Sequence, residues 1–582
     1  MVKRTNSAVV PETQHNPRSL RWAQSDWPWA ICVFVLIGMA VVGIENSWTA
    51  LSATYDEPYH VANGIEWLGQ GTQSDLEQPP LAQGAIALGP YLKGIRSPAG
   101  NGDVFDKGVA ILQSGGDYRN TLKLARLGVL PFFVLACVVT WLWARRWFGR
   151  AAAIWAVLLF VNLPPILGHA GLATVDMAGA ATVAIALYAF MRCLENSEWQ
   201  RLILLGVALA LAFLCKFSSL GFLGSCFLCA FVYVALGKRC ASPRVAQWRR
   251  LFVRALIVSG VAFVLLWAGY RFSWRPISDH SGAHSSIDRV FAKGSLLRSL
   301  AYKAIEVPLP LRQFVWGIHE VESHNAQGSD SYLFGEYRKT GWWYFFPVVV
   351  GVKTPIGFLI LAGCGIFAIM RGFGRSSLWQ QHLTVIFPAS IMLVCISSRI
   401  DLGVRHILAI YPLLAVIGGH AMAEFFILAR RTTPAIVVLP IMFVAWAVAD
   451  SWMTQPDYLA YFNEFAGSHP ERILAESDLD WGQDLDRLSR RLKELEVDHV
   501  SIKYFGTGAL DTFSSAAYNA LLESAGLPPH STLSADVPTT HGYVAISLRY
   551  LTLEYAKNGS FAWLKGRTPV EIIGKSIYLY NF

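Results

Sequence analysis

Long apolar runs separated by short polar segments dominate the chain from about residue 27 to residue 451. About eleven of these runs are long enough to cross a bilayer as helices. They cover residues 27–46, 124–144, 151–167, 172–192, 202–216, 219–237, 251–269, 346–370, 380–398, 406–428 and 434–451. The pattern predicts an α-helical polytopic membrane domain over residues 27–451, preceded by a polar tail of residues 1–26.

The pattern changes after residue 451. Leu485, Leu488, Leu492 and Leu495 recur at the spacing of one face of an amphipathic helix. Short runs that begin at residues 499, 543 and 576 have the composition of β-strands. We therefore expect a C-terminal α/β domain over residues 452–582.

Basic residues predict the orientation of the helices. Arginine and lysine cluster in the tail and after every second apolar run, at Arg145, Arg146, Arg150, Arg192, Arg201, Lys238, Arg239, Arg371, Arg430 and Arg431. Cytoplasmic loops carry such an excess of positive charge. The N-terminus is therefore predicted to be cytoplasmic, with outer loops at about 47–120 and 270–345 and an extracytoplasmic C-terminal domain. The expected location is the inner (plasma) membrane.

Composition agrees with a membrane protein. The chain is 54% hydrophobic and 15% charged, whereas soluble domains contain about a quarter charged residues. Much of the net charge of +9 lies in the basic loops that predict the orientation. The charge therefore does not indicate nucleic acid, and membrane lipids are the expected surroundings. A P-loop, a GxGxxG fingerprint and an HExxH motif are missing from the sequence.

An acidic pair, Asp56-Glu57, begins the first outer loop, with His60 four residues beyond Asp56. Adjacent carboxylates with a nearby histidine can supply a general base or a metal ligand, so a divalent metal ion at Glu57 is one option. Acidic residues at a helix N-terminus in a solvated loop explain the same pattern. The spacing alone leaves both interpretations open.

Asp176 enters the outer part of an apolar helix, where a carboxylate is costly unless it is paired or functional. His169 and Thr174 lie close enough in sequence to satisfy it. A structural hydrogen-bond network is the alternative interpretation.

Several cations lie at the predicted outer ends of apolar runs, against the charge rule: Lys216, Arg271, Lys353, Arg399, Arg405 and His406. A phosphate held at the outer membrane surface would explain them, because arginine and lysine bind phosphate oxygens well. Snorkelling of long side chains to the membrane surface is the alternative. Lys353 lies several residues inside its run, where snorkelling explains it least.

Asp478-Leu-Asp480 resembles the DxD motif by which soluble glycosyltransferases hold a metal and a nucleotide sugar. Nucleotide sugars are cytoplasmic, whereas this segment is predicted to be outside. A capped turn that leads into the helix of Leu485 explains the residues at least as well.

Several motifs occur in an order that resembles a known family. They are Tyr55-Asp-Glu, Gln78-Pro-Pro-Leu81, the segment from His169 to Asp176, Lys216-Phe-Ser, the segment from Gly341 to Pro355, the segment from Arg405 to Pro412, and Asp480-Trp-Gly-Gln-Asp-Leu485. Together they resemble the C-type (GT-C) membrane glycosyltransferases, in the group similar to protein O-mannosyltransferases and aminoarabinose transferases. Many relatives have histidine where this chain has Gln78, which puts a metal-ligand role there in doubt.

The resemblance implies an inverting glycosyltransferase that uses a polyprenyl-phosphate-linked sugar. Asp56 would be the catalytic base, beside Glu57, and Asp176 a second functional acid. The cations Lys216, Lys353, Arg399 and Arg405, with His169 and His406, would bind the lipid phosphate. Lipids, proteins and envelope glycans are all candidate acceptors.

Two other function classes remain to be weighed. Transporters and flippases of lipid-linked solutes show inverted repeats and helices broken near the membrane midplane, whereas the polar residues of this chain cluster at the outer surface. A noncatalytic assembly subunit is the third interpretation, in which Asp56 would be dispensable.

Overall fold

The computed structural model describes residues 27–98, 102–114, 116–237, 245–279, 282–372, 378–506, 515–539 and 541–582. The predicted tail of residues 1–26 lies outside the described residues, and so do Lys238 and Arg239. The helices are Trp27–Ser47, Glu57–Gln70, Pro80–Leu92, Val104–Ser114, Tyr118–Leu127, Leu130–Trp147, Arg150–Phe160, Pro164–Ala170, Asp176–Glu195, Trp199–Cys215, Ser218–Gly237, Val245–Gly269, Ala283–Val290, Leu296–Glu306, Arg312–Gln327, Phe345–Lys353, Ile356–Met370, Trp379–Ile396, Tyr411–Arg431, Val438–Thr454, Leu485–Glu494, Ser515–Ser524 and Tyr555–Asn558. The strands are β1 Trp274–Pro276, β2 Pro308–Pro310, β3 Ser331–Leu333, β4 Glu336–Arg338, β5 Val500–Lys503, β6 His530–Thr532, β7 Tyr543–Ser547, β8 Glu571–Ile573 and β9 Ile577–Asn581.

The membrane helices confirm the predicted fold class. Among the described residues, eight helices are long and apolar enough to cross a membrane, two more segments are bent helix pairs, and Trp199–Cys215 is a shorter apolar helix. Together they account for all eleven predicted segments. The two bent segments differ from straight spans, with bends of 66° between Arg150–Phe160 and Pro164–Ala170 and of 117° between Phe345–Lys353 and Ile356–Met370. Proline lies at each break and cannot donate a helical hydrogen bond.

Small residues let the membrane helices approach closely. A side chain at Gly419 would collide with the backbone of Ala152 and Ala156 on the neighbouring helix. Such close contacts between backbones are typical of helix pairs in membranes. These two helices are therefore tightly packed against each other.

The C-terminal residues form a five-stranded mixed sheet in the order β6-β5-β7-β9-β8. Strand β5 runs parallel to β6 and β7, and β9 runs antiparallel to β7 and β8. The helix Leu485–Glu494 buries Leu485, Leu488 and Leu492 against this sheet. The predicted α/β character of this region and its amphipathic helix are thus confirmed.

The C-terminal region packs directly on the first outer loop. The amide of Ser52 donates to the carbonyl of Gln483 at 2.9 Å. The hydroxyl of Ser52 accepts from the amide of Asp486 at 2.8 Å. Lys557 pairs with Asp330 of the second polar loop at 2.5 Å. The three long polar segments therefore meet on one side of the helices, where they cover one end of the membrane domain.

Candidate active site

A cavity of about 770 Å³ lies under this cover. Its walls come from the first outer loop, the outer ends of membrane helices and the helix Arg312–Gln327. Binding pockets for small molecules commonly have volumes of about 300–1,000 Å³. The cavity is therefore large enough for a small-molecule ligand.

Asp56 lies on the wall of the cavity immediately before the helix Glu57–Gln70. The guanidinium group of Arg405 donates to its carboxylate, and the side chains of Asp56 and Arg405 are 21% and 10% exposed. The preceding Tyr55 is held by a hydrogen bond from its amide to the carbonyl of Trp481 at 2.9 Å. Its ring also stacks on Phe505 with a centroid distance of 5.3 Å. Asp56 is thus a partly exposed carboxylate on a fixed segment of backbone.

Asp176 and Lys216 form a second ion pair on the same cavity, 2.5 Å apart. Asp176 begins the helix Asp176–Glu195, and Lys216 directly follows the helix Trp199–Cys215. Both side chains are nearly buried, so each needs the other as a counter-charge. The sequence-based expectation that His169 and Thr174 satisfy Asp176 is not met, because Lys216 is its partner.

Two histidines also line the cavity. Burial lowers the pKa of His60 to about 4, so this imidazole is neutral at physiological pH, and it lies 3.3 Å from the amide nitrogen of Gln83. Within the described part of the chain, Nε2 of His406 has no hydrogen-bond partner, so this atom is available to a bound group.

Glu57 lies outside the cavity wall and is fully buried. Both of its carboxylate oxygens accept from the guanidinium of Arg126, at 2.8 and 2.9 Å. They also accept from the amides of Ala173 and Thr54, each at 2.7 Å. The prediction of Glu57 as a catalytic residue or metal ligand does not fit this geometry, because its oxygens are engaged in holding the loop of Asp56 to two other segments.

Lys353 and Arg399 also lie apart from the cavity. Lys353 is buried at the 117° bend, where its ammonium donates to the carbonyls of Leu459 and Asp478 at 2.8 and 2.6 Å. Arg399 donates to the carbonyl of Ala326 at 3.3 Å and is not among the lining residues. The structure therefore brings neither of these predicted phosphate ligands to the cavity, because backbone carbonyls engage the Lys353 ammonium and Arg399 is not part of the lining.

His169 is displaced from the cavity in a similar way. It is buried behind the wall, and its ring packs edge-on against Trp481 with a centroid distance of 6.1 Å. We therefore interpret His169 as a packing residue of the site and not as a phosphate ligand.

One wall of the cavity is apolar. This apolar part of the lining consists of Phe217, Leu220 and Val394, at or next to the ends of membrane helices, and of Ile318 and Val321 on the helix Arg312–Gln327. An apolar wall beside two acid–cation pairs suits a ligand with a charged head and a hydrocarbon chain.

Sequence reasoning missed several residues near the site. The most important is Arg126, whose charge inside a predicted apolar run was itself a signal of a buried partner. Tyr59 donates to Asp75 at 2.8 Å. Glu77 lies 3.3 Å from His324 and raises the pKa of this histidine through their hydrogen bond. No sequence pattern identified these last two pairs.

A metal site is not supported by the side chains. Within the residues that the structure describes, no group of three or more histidine, cysteine, aspartate or glutamate side chains is arranged to hold a metal ion. Asp478 of the DxD-like motif accepts from the amide of Val404 at 3.0 Å. Asp480 accepts from the amides of Gly482 and Arg549, so both carboxylates serve as backbone caps.

The family model described as dolichyl-phosphate-mannose-protein mannosyltransferase matches residues 120–267. The match includes Arg126, His169, Asp176 and Lys216, and it confirms the resemblance to C-type membrane glycosyltransferases that the motif order indicates. Among curated proteins, none matches the chain at a significant level.

Solved structures are similar over most of the chain. ArnT from Cupriavidus metallidurans, solved with bound undecaprenyl phosphate, is 15% identical, with 94% of this chain and 97% of that chain covered and a TM-score of 0.46. The oligosaccharyltransferase of Archaeoglobus fulgidus tethered with an acceptor peptide is 12% identical, with coverages of 93% and 72% and a TM-score of 0.43. TM-scores of this size do not establish a shared fold. The family resemblance is carried by the match over residues 120–267.

Proposed function

We propose that the protein is an inverting glycosyltransferase that moves a sugar from a polyprenyl-phosphate-linked donor to an acceptor on the outer face of the cytoplasmic membrane. One observation carries the proposal. Two carboxylates, Asp56 and Asp176, each paired with a cation, share one cavity with an apolar wall at the outer ends of the membrane helices.

The donor class follows from the mixed apolar and charged lining of the cavity. The apolar wall near Leu220 and Val394 can accept the first isoprene units of the lipid. Lys216 and Arg405 lie on the polar side, where they can neutralise the phosphate. The description of the matching family names a dolichyl-phosphate-linked sugar, which is a donor of this class.

The proposed reaction is a single displacement at the anomeric carbon. Asp56 accepts the proton of an acceptor hydroxyl or amine, and the acceptor atom forms the new bond to the anomeric carbon. The bond from that carbon to the phosphate oxygen breaks, and its electron pair leaves with the polyprenyl phosphate. Attack from the face opposite the leaving group inverts the configuration.

The ion pairs suit this reaction because the negative charge that develops on the leaving phosphate needs fixed cations. Arg405 can shift from Asp56 toward the phosphate, which would free the carboxylate to act as a base. Asp176 would hold Lys216 in place beneath the same phosphate. Lipid, protein and envelope glycan acceptors remain candidates.

The experiment uses purified protein in liposomes with a polyprenyl phosphate donor labelled in its sugar. Transfer of label to an acceptor with release of polyprenyl phosphate, and an anomer opposite to that of the donor, is the expected result. Movement of intact donor across the bilayer without cleavage would instead identify a flippase. A product that retains the donor configuration would overturn the single displacement.

A further inference from the structure

The segment Glu476–Asp484 belongs to the C-terminal region, yet it reaches into the candidate active site. We propose that Trp481 in this segment is a positioning residue, which orients Arg405 and the backbone before Asp56. The C-terminal region would thus complete the catalytic centre and not merely cover it. The inference rests on the proposed function and assigns a role to the motif Asp480-Trp-Gly-Gln-Asp484.

The acidic residues of the motif anchor it in the C-terminal region. Asp480 accepts from the amide of Arg549 at 3.0 Å. Asp484 accepts from the hydroxyl of Ser576 at 2.8 Å and from the amide of Lys575 at 3.1 Å. Both carboxylates are fully buried, so these bonds fix the position of the motif relative to the sheet.

Gln483 and Gly482 give the motif its shape. The side chain of Gln483 donates to the carbonyl of Leu479 at 2.8 Å and accepts from the amide of Trp481 at 2.9 Å. Gly482 has a φ of 86°, a conformation that favours glycine, and Tyr504 packs against it. The tryptophan beside this tight turn belongs to one buried apolar cluster with Leu172 of the membrane domain and Val544 of the sheet.

Trp481 contacts Arg405 and the residue that precedes Asp56. Its ring lies under the Arg405 guanidinium, with 4.4 Å from the guanidinium carbon to the ring centroid. Its carbonyl accepts from the amide of Tyr55, the residue before Asp56, at 2.9 Å. One residue of the C-terminal region therefore contacts both the counter-cation and the backbone next to the base.

The backbone of Arg405 is held by the same segment. The carboxylate of Asp478 accepts from the amide of Val404 at 3.0 Å and so caps the start of the turn that carries Arg405. Within the described residues, the guanidinium Nε of Arg405 has no hydrogen-bond partner. The guanidinium is oriented by its bond to Asp56 and by the face of Trp481, in the field of the nearby carboxylates of Asp176 and Glu476.

A cation stacked on a buried tryptophan is stabilised by the ring, and the attraction is strongest when water is excluded. Trp481 is fully buried, so a loss of the ring would let the guanidinium turn away from the cavity. Removal of the ring is therefore expected to weaken the binding of a lipid phosphate about tenfold.

The test measures the affinity of the purified full-length protein for undecaprenyl phosphate and its transfer activity. Trp481→Leu and Trp481→Met both remove the ring, and methionine fills irregular space well enough to serve if the leucine variant does not fold. Each is expected to bind about tenfold more weakly than wild type, whereas Trp481→Phe keeps a ring face and should stay within about threefold. Phe465→Leu, at an exposed position of the C-terminal region, should behave as wild type.

A double-mutant cycle separates positioning from a general effect on folding. In an Arg405→Gln background, Trp481→Met should change the affinity less than about twofold, because the ring acts through the guanidinium. The same tenfold loss in both backgrounds, no loss in either, or an equal loss in Trp481→Phe would overturn the proposal. Failure of wild type to bind or use any polyprenyl phosphate would instead contradict the proposed function, so the two failures are distinct.

Discussion

Asp56 and Arg405 are 349 residues apart in the chain, yet they form an ion pair on the wall of one cavity. Asp56 belongs to the first outer loop, and Arg405 begins the long helical segment that ends at Arg431. The contact with a cation holds this carboxylate in place before the substrate binds. The phosphate of a lipid-linked donor can then compete for Arg405.

Replacement of Arg405 should impair the use of the donor, and the loss of the charge should cost more than the loss of the planar guanidinium alone. Arg405→Lys keeps the charge but not the planar fork, and we expect donor KM to rise about tenfold. Arg405→Gln should lower kcat/KM by about 10²-fold or more. Arg399→Gln is the matched control, because Arg399 lies near the same helix ends but does not line the cavity. Equal losses in Arg399→Gln and Arg405→Gln would contradict the assignment.

Glu57→Gln should destabilise the protein instead of removing a catalytic group. The change leaves the buried Arg126 without its counter-charge, and loss of one partner of a buried ion pair costs about 3–5 kcal/mol. A lower melting temperature in detergent is the expected result, and Glu57→Gln/Arg126→Met should recover part of it. Restoration of Glu57→Gln activity by Mn²⁺ or Mg²⁺ would show instead that Glu57 acts as a metal ligand.

Lys353→Met should also act through stability. Its ammonium donates to the carbonyls of residues 459 and 478 and so joins the bent segment to them. Each carbonyl left without a donor costs about 1–3 kcal/mol. The variant should melt at a lower temperature while donor KM stays within about twofold of wild type. Lys216→Met is the comparison, because it should raise donor KM. An equal rise in KM for Lys353→Met would place that ammonium at the phosphate after all.

The pH dependence of stability should report Asp480. Burial raises the pKa of this carboxyl to about 7, whereas the pKa of an aspartate in the unfolded chain is about 4. Between these two pH values, the folded protein keeps a proton that the unfolded chain has released. Its contribution to stability is therefore present below about pH 4 and is lost as the pH rises toward 7. Asp480→Asn should reduce the fall in melting temperature between pH 5 and pH 7.5. An unchanged fall would mean that other groups cause it.

Much of the fold could be predicted because its signals are local. The eleven apolar segments, the amphipathic helix of Leu485 and the strands that begin near residues 500, 543 and 577 all depend on short-range periodicity. The 117° bend between Lys353 and Ile356 did not follow from hydropathy, since both arms are apolar and only Pro355 marks the break.

The site was harder to predict because charges at helix ends look alike in sequence. Lys216 and Lys353 both lie where the positive-inside rule disfavours a cation. In the structure, Lys216 pairs with a carboxylate on the cavity, whereas Lys353 binds backbone carbonyls outside it. Only the packing of distant segments distinguishes them. The sequence around Trp481 predicts a capped turn. This prediction describes the backbone of the segment but not the contact of the Trp481 ring with Arg405.

The most direct test of the central claim is a single-turnover measurement of polyprenyl phosphate release by Asp56→Asn beside wild type, with Asp498→Asn as an exposed control in the C-terminal region. Loss of a general base is expected to slow release by about 10²- to 10⁴-fold. The affinity of the variant for undecaprenyl phosphate should be retained. Asp498→Asn should match wild type. Wild-type rates of release in Asp56→Asn would contradict the role of Asp56 as the base.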